Sequence, residues 1–111
     1  MIIIVNLHKT IQLNEDIRTQ LNQYFTGQPV LRAYLFGSTV RSEAKRESDI
    51  DILVELDYEN GADYFVFYNM QQDLNKLLNK KVDLVSAKGL SQYVKPIIDK
   101  EKELVYERKN F

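Results

Sequence analysis

The chain has 111 residues, 44% of them hydrophobic, enough for one modest core and no second domain, so a single domain over 1–111 is expected. Its 15 Lys and Arg against 16 Asp and Glu leave a net charge of -1, without the basic excess of a dedicated nucleic-acid binder, which disfavours a DNA polymerase. The absence of cysteine excludes disulfides and thiolate metal sites.

Taken in chain order, Ile2-Ile3-Ile4-Val5 is too short to span a bilayer and follows no basic region, so a cytoplasmic protein without membrane contact is expected. As an edge strand, Met1 to Val5 could pair with a partner or another copy. His8, the only histidine, receives no role. Asn14 to about Phe25 reads as a helix with Asn14 as N-cap and Ile17, Leu21, Tyr24 and Phe25 on one apolar stripe, closed by Gly27-Gln28-Pro29. Val30 to Phe36 is apolar with aromatic and β-branched content and predicts a strand ending at Gly37. Ser38 stands where an N-cap would, ahead of a short helix from Thr39 to Arg46. Ile50 to Leu56 predicts a second strand and Asp57 to Gly61 a turn. A longer helix reaches about Asn79, with Ala62, Val66, Met70, Leu74, Leu77 and Leu78 at helical spacing as core. Lys81 to Val85 is a third strand. A turn or short helix near Leu90 to Lys95 precedes a helix from Pro96 to about Lys102, because proline is tolerated in a first helical turn. Leu104 to Tyr106 closes the chain as a short strand, giving an α/β (α+β) fold: a small mixed sheet flanked by helices.

The chemistry concentrates in Gly37-Ser38 and, after a short polar stretch, Ser48-Asp49-Ile50-Asp51. Glycine lets the backbone approach an anion without a Cβ in the way, and a helix start offers unpaired N–H groups to a phosphate. Asp49 and Asp51 alternate onto one face of a strand, roughly 6.6 Å apart between Cα atoms. Carboxylates at that separation can lean together on divalent ions about 3.5–4 Å apart. Mg²⁺ suits a few carboxylates, water and phosphate oxygens. Either piece by itself is a plain turn or a solvated strand start; their order and closeness point to transfer of a nucleotide from a triphosphate.

Gly37-Ser38-Thr39-Val40-Arg41 followed by Ser48-Asp49-Ile50-Asp51-Ile52 resembles the Gly-Ser…Asp-X-Asp signature of the DNA polymerase β-like nucleotidyltransferase superfamily. The short length is similar to its minimal nucleotidyltransferase (MNT) branch, the antitoxin half of HEPN/MNT toxin–antitoxin pairs. Val40 and Ser42 depart from the Ala and Gly frequent in that branch, beside the phosphate turn but away from any metal ligand. The resemblance asks for a third carboxylate on a neighbouring strand, and Asp83 is the candidate. By pattern alone Asp83 is equally a solvent-facing residue at a strand edge, and Asp63 is a weaker rival in a first helical turn.

What the resemblance implies is a Mg²⁺-dependent protein adenylyltransferase with ATP as substrate. Asp49, Asp51 and Asp83 would be catalytic residues holding two Mg²⁺ ions, and Gly37, Ser38 and Arg41 would bind the nucleotide. Arg41 and Lys45 also read as an exposed helix face. With no residues left for an acceptor-binding domain, the expected acceptor is a tyrosine of a HEPN-domain ribonuclease toxin, held in a hetero-oligomer, with no direct nucleic-acid contact. A non-catalytic antitoxin acting by binding alone is the competing expectation; a small-molecule nucleotidyltransferase would need a drug-binding surface that cannot be located. Tyr64, Tyr68, Tyr93 and Tyr106 read as packing or interface residues.

Overall fold

Alternation of apolar and polar residues in the strands, and a four-residue apolar repeat in the helices, divide this fold into two faces. The computed structural model describes residues 15–41 and 49–109. Helix α1 (15–25) buries Ile17, Leu21 and Phe25 and half-buries Tyr24, as its spacing predicts; the expected Asn14 cap and the Met1–Val5 strand lie outside the described residues, as does His8. Strand β1 (Val30–Phe36) and strand β2 (Ile50–Leu56) form over the predicted ranges. After Gly61, which turns the chain at φ +95°, helix α2 (Tyr64–Leu78) begins. Strand β3 (Val82–Ser86), helix α3 (Lys95–Glu101, with proline in its first turn) and strand β4 (Glu103–Glu107) follow.

The sheet order is β3-β2-β1-β4. β1 runs antiparallel to both β2 and β4, and β2 runs parallel to β3. A parallel neighbour requires a crossover, and α2 supplies it. On one face Ile50, Ile52, Val54 and Leu56 of β2 join Ala33 and Leu35 of β1, Val82 and Leu84 of β3, and the buried residues of α1 and α2 in a single core. The alternate residues of β2 (Asp51, Leu53, Glu55) point to the other face. There Leu53 and Ile98 of α3 are buried outside that core, and the Lys102 ammonium stands 4.4 Å from the centre of the Tyr34 ring.

Three details differ from the expected pattern. Leu77 is 40% exposed, because it lies to one side of the Met70-Leu74-Leu78 line that faces the core. Asp63 is the N-cap of α2, its carboxylate accepting the Val66 N–H at 2.8 Å, so its acid is spent on the helix. The turn expected near Leu90 to Lys95 is split between a 3-10 turn at Ala87–Gly89 and a turn over residues 92–94.

Helix side chains close both sheet edges. Gln71 Nε2 donates to the Val82 carbonyl (2.5 Å), Gln71 Oε1 accepts from the Leu84 N–H (3.2 Å) and Asn75 Oδ1 accepts from the Val82 N–H (2.8 Å). Across the sheet, Asn22 Nδ2 donates to the Val105 carbonyl at 3.1 Å. Backbone groups that would otherwise invite another strand are thereby occupied. The core prediction is direct: Leu35→Ala, at a fully buried position, should cost about 2–5 kcal/mol in urea unfolding.

Candidate functional site

The register of β1 on β2 brings Phe36 opposite Asp51, so Gly37 lands on the Asp51 carboxylate. Gly37 is buried with φ +74°, and a Cβ added there would lie 2.1 Å from Asp51 Oδ2 and 3.0 Å from its Cγ. The left-handed backbone favours glycine whatever the space, and a Cβ here would push the Asp51 carboxylate aside. The backbone then closes tightly: the N–H groups of Val40 and Arg41 both donate to the Gly37 carbonyl at 3.2 Å. Residues Gly37–Thr39 form one 3-10 turn, capped by Phe36 without a side-chain hydrogen bond. Ser38 is thus inside the turn and not the N-cap of an α-helix, because the positive-φ glycine starts the turn one residue earlier. The remainder of the expected helix, Ser42 to Arg46 with Lys45, lies outside the described residues. Among the described residues, the donors that a phosphate could meet here are the individual N–H groups and side chains of the turn.

The acids come together through the parallel pair. Asp51 of β2 and Asp83 of β3 are direct Cα partners, so both side chains leave the same face from strands roughly 4.8 Å apart. Asp49, two residues before Asp51, shares that face at the strand entrance, half-exposed, with the Lys81 ammonium 3.9 Å away. Asp83 is exposed, as a strand-edge acid would be, yet the register also brings it to the site. Burial first, then the charges of Asp83 and Asp49, holds the Asp51 carboxyl above its ordinary value; Arg41 works against them and Glu101 adds to them. Among the described residues, no three acids or histidines stand close enough as placed to hold a metal ion. What Asp49, Asp51 and Asp83 offer is carboxylate oxygen, the donor type that hard divalent cations take.

Sequence reasoning missed Glu101. The last residue of α3 reaches across the outer face and accepts the Gly37 N–H at 2.9 Å, while its second oxygen meets Arg41 Nη1 at 2.8 Å. Nothing in the Lys100-Glu101-Lys102-Glu103 run marks one acid among the solvated charges; only the packing of α3 does. A cavity of about 550 Å³ at the opposite end of β2, lined by Leu31, Leu56, Asp57, Tyr58 and Arg108, contains none of these groups.

Two outcomes test this geometry. Gly37→Ala should cost about 1–2 kcal/mol for the left-handed backbone alone, and it should also expel the Asp51 carboxylate; urea unfolding reads the first and a crystal structure of the variant the second. Because folding raises the Asp51 pKa, the folded chain binds more protons than the unfolded one, and stability falls as pH rises through that raised value. Asp51→Asn should therefore melt higher than wild type near neutral pH and gain nothing below about pH 3.5, under the ordinary Asp value.

Residues 6–111 match the family model described as polymerase beta, nucleotidyltransferase. A Methanocaldococcus jannaschii chain provisionally named a protein adenylyltransferase is 42% identical over 73 residues, 65% of this chain and 71% of that one. The protein adenylyltransferase MntA of Thermococcus cleftensis is 39% identical over 67 residues, 60% of this chain and 66% of its own length. The solved complex of a tri-AMPylated Shewanella oneidensis HEPN toxin with its MNT antitoxin matches at TM-score 0.59 and 24% identity, over 88% of this chain and 74% of the matched one, a likeness of fold alone. Motif, sheet order and family model agree: this chain belongs to the polymerase β nucleotidyltransferase family.

Proposed function

We propose that this chain, acting as one nucleotidyltransferase domain, transfers AMP from ATP to a tyrosine hydroxyl of a HEPN-domain ribonuclease toxin and so neutralises it. The observation that carries the reading is the pairing of Asp51 with Asp83 on one sheet face, with the Gly37 turn set against Asp51 and Asp49 two residues before it. The protein adenylyltransferase names of its relatives and the AMPylated toxin in the S. oneidensis complex support the choice of group and acceptor.

In this reading the hydroxyl oxygen attacks the α-phosphorus, a new O–P bond forms, the bond between the α-phosphorus and the bridging oxygen breaks, and pyrophosphate leaves with the electron pair. Asp83, facing the open side of the site, accepts the hydroxyl proton. Gly37, Ser38 and Arg41 bind the β- and γ-phosphates. Asp49, Asp51 and Asp83 would hold divalent cations, which when bound neutralise the triphosphate and stabilise the attacking and departing oxygens. AMP on the toxin adds bulk and negative charge where RNA phosphates must dock.

A second reading, neutralisation by binding alone, draws on the exposed aromatic residues Tyr64 (76%), Phe65 (74%) and Tyr68 (54%) in the first turns of α2. One experiment separates the two. With ATP, Mg²⁺ and the neighbouring-gene product, the wild-type chain should add AMP to the partner by mass spectrometry, and Asp49→Asn with Asp51→Asn should add none while still binding it. Full protection of cells by that double variant would favour binding alone. Independently of activity, Mg²⁺ should raise the melting temperature of the wild-type chain and leave the double variant unchanged.

A further inference from the structure

Glu101 holds two of the three groups that the nucleotidyltransferase reading reserves for the triphosphate, Gly37 and Arg41 but not Ser38. One carboxylate oxygen accepts the Gly37 N–H and the other accepts from the Arg41 guanidinium, at 2.9 and 2.8 Å. A carboxylate bridging a backbone N–H and an arginine offers the same arrangement of two anionic oxygens that a phosphate does. These bonds, Arg41 first and Gly37 second, hold the Glu101 carboxyl below its ordinary value, so it is a charged group at neutral pH.

Its charge is misplaced for a purely structural brace. Glu101 is a fourth carboxylate within electrostatic reach of Asp51, whose charge is already disfavoured by burial and by Asp83 and Asp49. Arg41 offsets this, and Lys81 stands 3.9 Å from Asp49, yet among the described residues the four acids Asp49, Asp51, Asp83 and Glu101 outnumber these two cations. A polyphosphate carrying divalent cations would reverse that balance, since it brings positive charge to the acids and its own oxygens to Gly37 and Arg41.

We infer that Glu101 is a stand-in for a phosphate oxygen, seated on Gly37 and Arg41 in the ligand-free chain and displaced by the polyphosphate of the incoming nucleoside triphosphate. It therefore sets the affinity for that polyphosphate: binding releases one carboxylate from two donors, and the cost of that exchange is subtracted from the gain. The inference rests on the nucleotidyltransferase reading for the identity of the ligand and on the two observed bonds for the role of Glu101.

The test uses Mg²⁺ with inorganic tripolyphosphate, which lacks base and sugar, titrated calorimetrically into the full chain and into Glu101→Gln and Glu101→Ala. Both variants should bind roughly tenfold more tightly, a gain of about 1.4 kcal/mol, because the carboxylate's bonds to Gly37 and Arg41 no longer have to be given up. With ATP and the acceptor protein, KM for ATP should fall in Glu101→Gln while kcat holds. Unchanged or weaker binding in both variants, with wild type still binding, overturns the stand-in role and leaves the nucleotidyltransferase reading in place. If neither wild type nor variants bind tripolyphosphate or ATP, both fall. A measurement on wild type alone covers the case of a variant that fails to fold: in NMR titration the Gly37 amide and the Glu101 side-chain carboxyl should shift together, and a Glu101 signal unmoved while Gly37 saturates overturns the inference.

Discussion

The close seat of Gly37 on the Asp51 carboxylate is the constraint from which the rest of this site follows. It exists because β1 and β2 pair in a register that sets Phe36 opposite Asp51, so the residue after the strand has no room for a side chain. A backbone at φ +74° then turns at once, and its N–H donates to the Glu101 carboxylate. A single steric contact thus sets the Gly37 backbone against Asp51.

β2 carries the consequences of this arrangement on its two faces. Its even-numbered residues supply much of the apolar core, while Asp51 and Glu55 stand among charges on the other side. The parallel pairing with β3 lines up Leu53 with Val85 next to Asp51 with Asp83, so an apolar patch lies one step behind the acids. Like charges held this close disfavour the folded state, and the fully buried core of Leu21, Phe25, Leu35, Ile52 and Leu74 offsets them. Stability and chemistry are thus drawn from opposite faces of the same strands.

Arg32, bonded to Glu55 at 2.9 Å and Glu107 at 2.7 Å, organises the centre of the outer face, whereas α3 closes the end near the acids. Its last residue bridges Gly37 and Arg41, linking the C-terminal part of the chain to the Gly37 turn. Such a link makes the turn's donors part of the tertiary packing and not a local property of the loop.

Strand positions, helix stripes and the Gly37/Asp49/Asp51 constellation were legible in the chain because each depends on spacing within a few residues: alternation of two in β2, a four-residue repeat in α1 and α2, and a glycine where only glycine fits. Asp83 was named by analogy, but its partnership with Asp51 belongs to the register of two strands separated by a helix, which no local pattern encodes. The turn starts at Gly37, with Ser38 inside it, where the chain takes a left-handed backbone against Asp51. Glu101 was invisible in a run of alternating charges, since its role depends on where α3 packs. Local chemistry therefore determined which residues could act, and long-range pairing decided which of them meet.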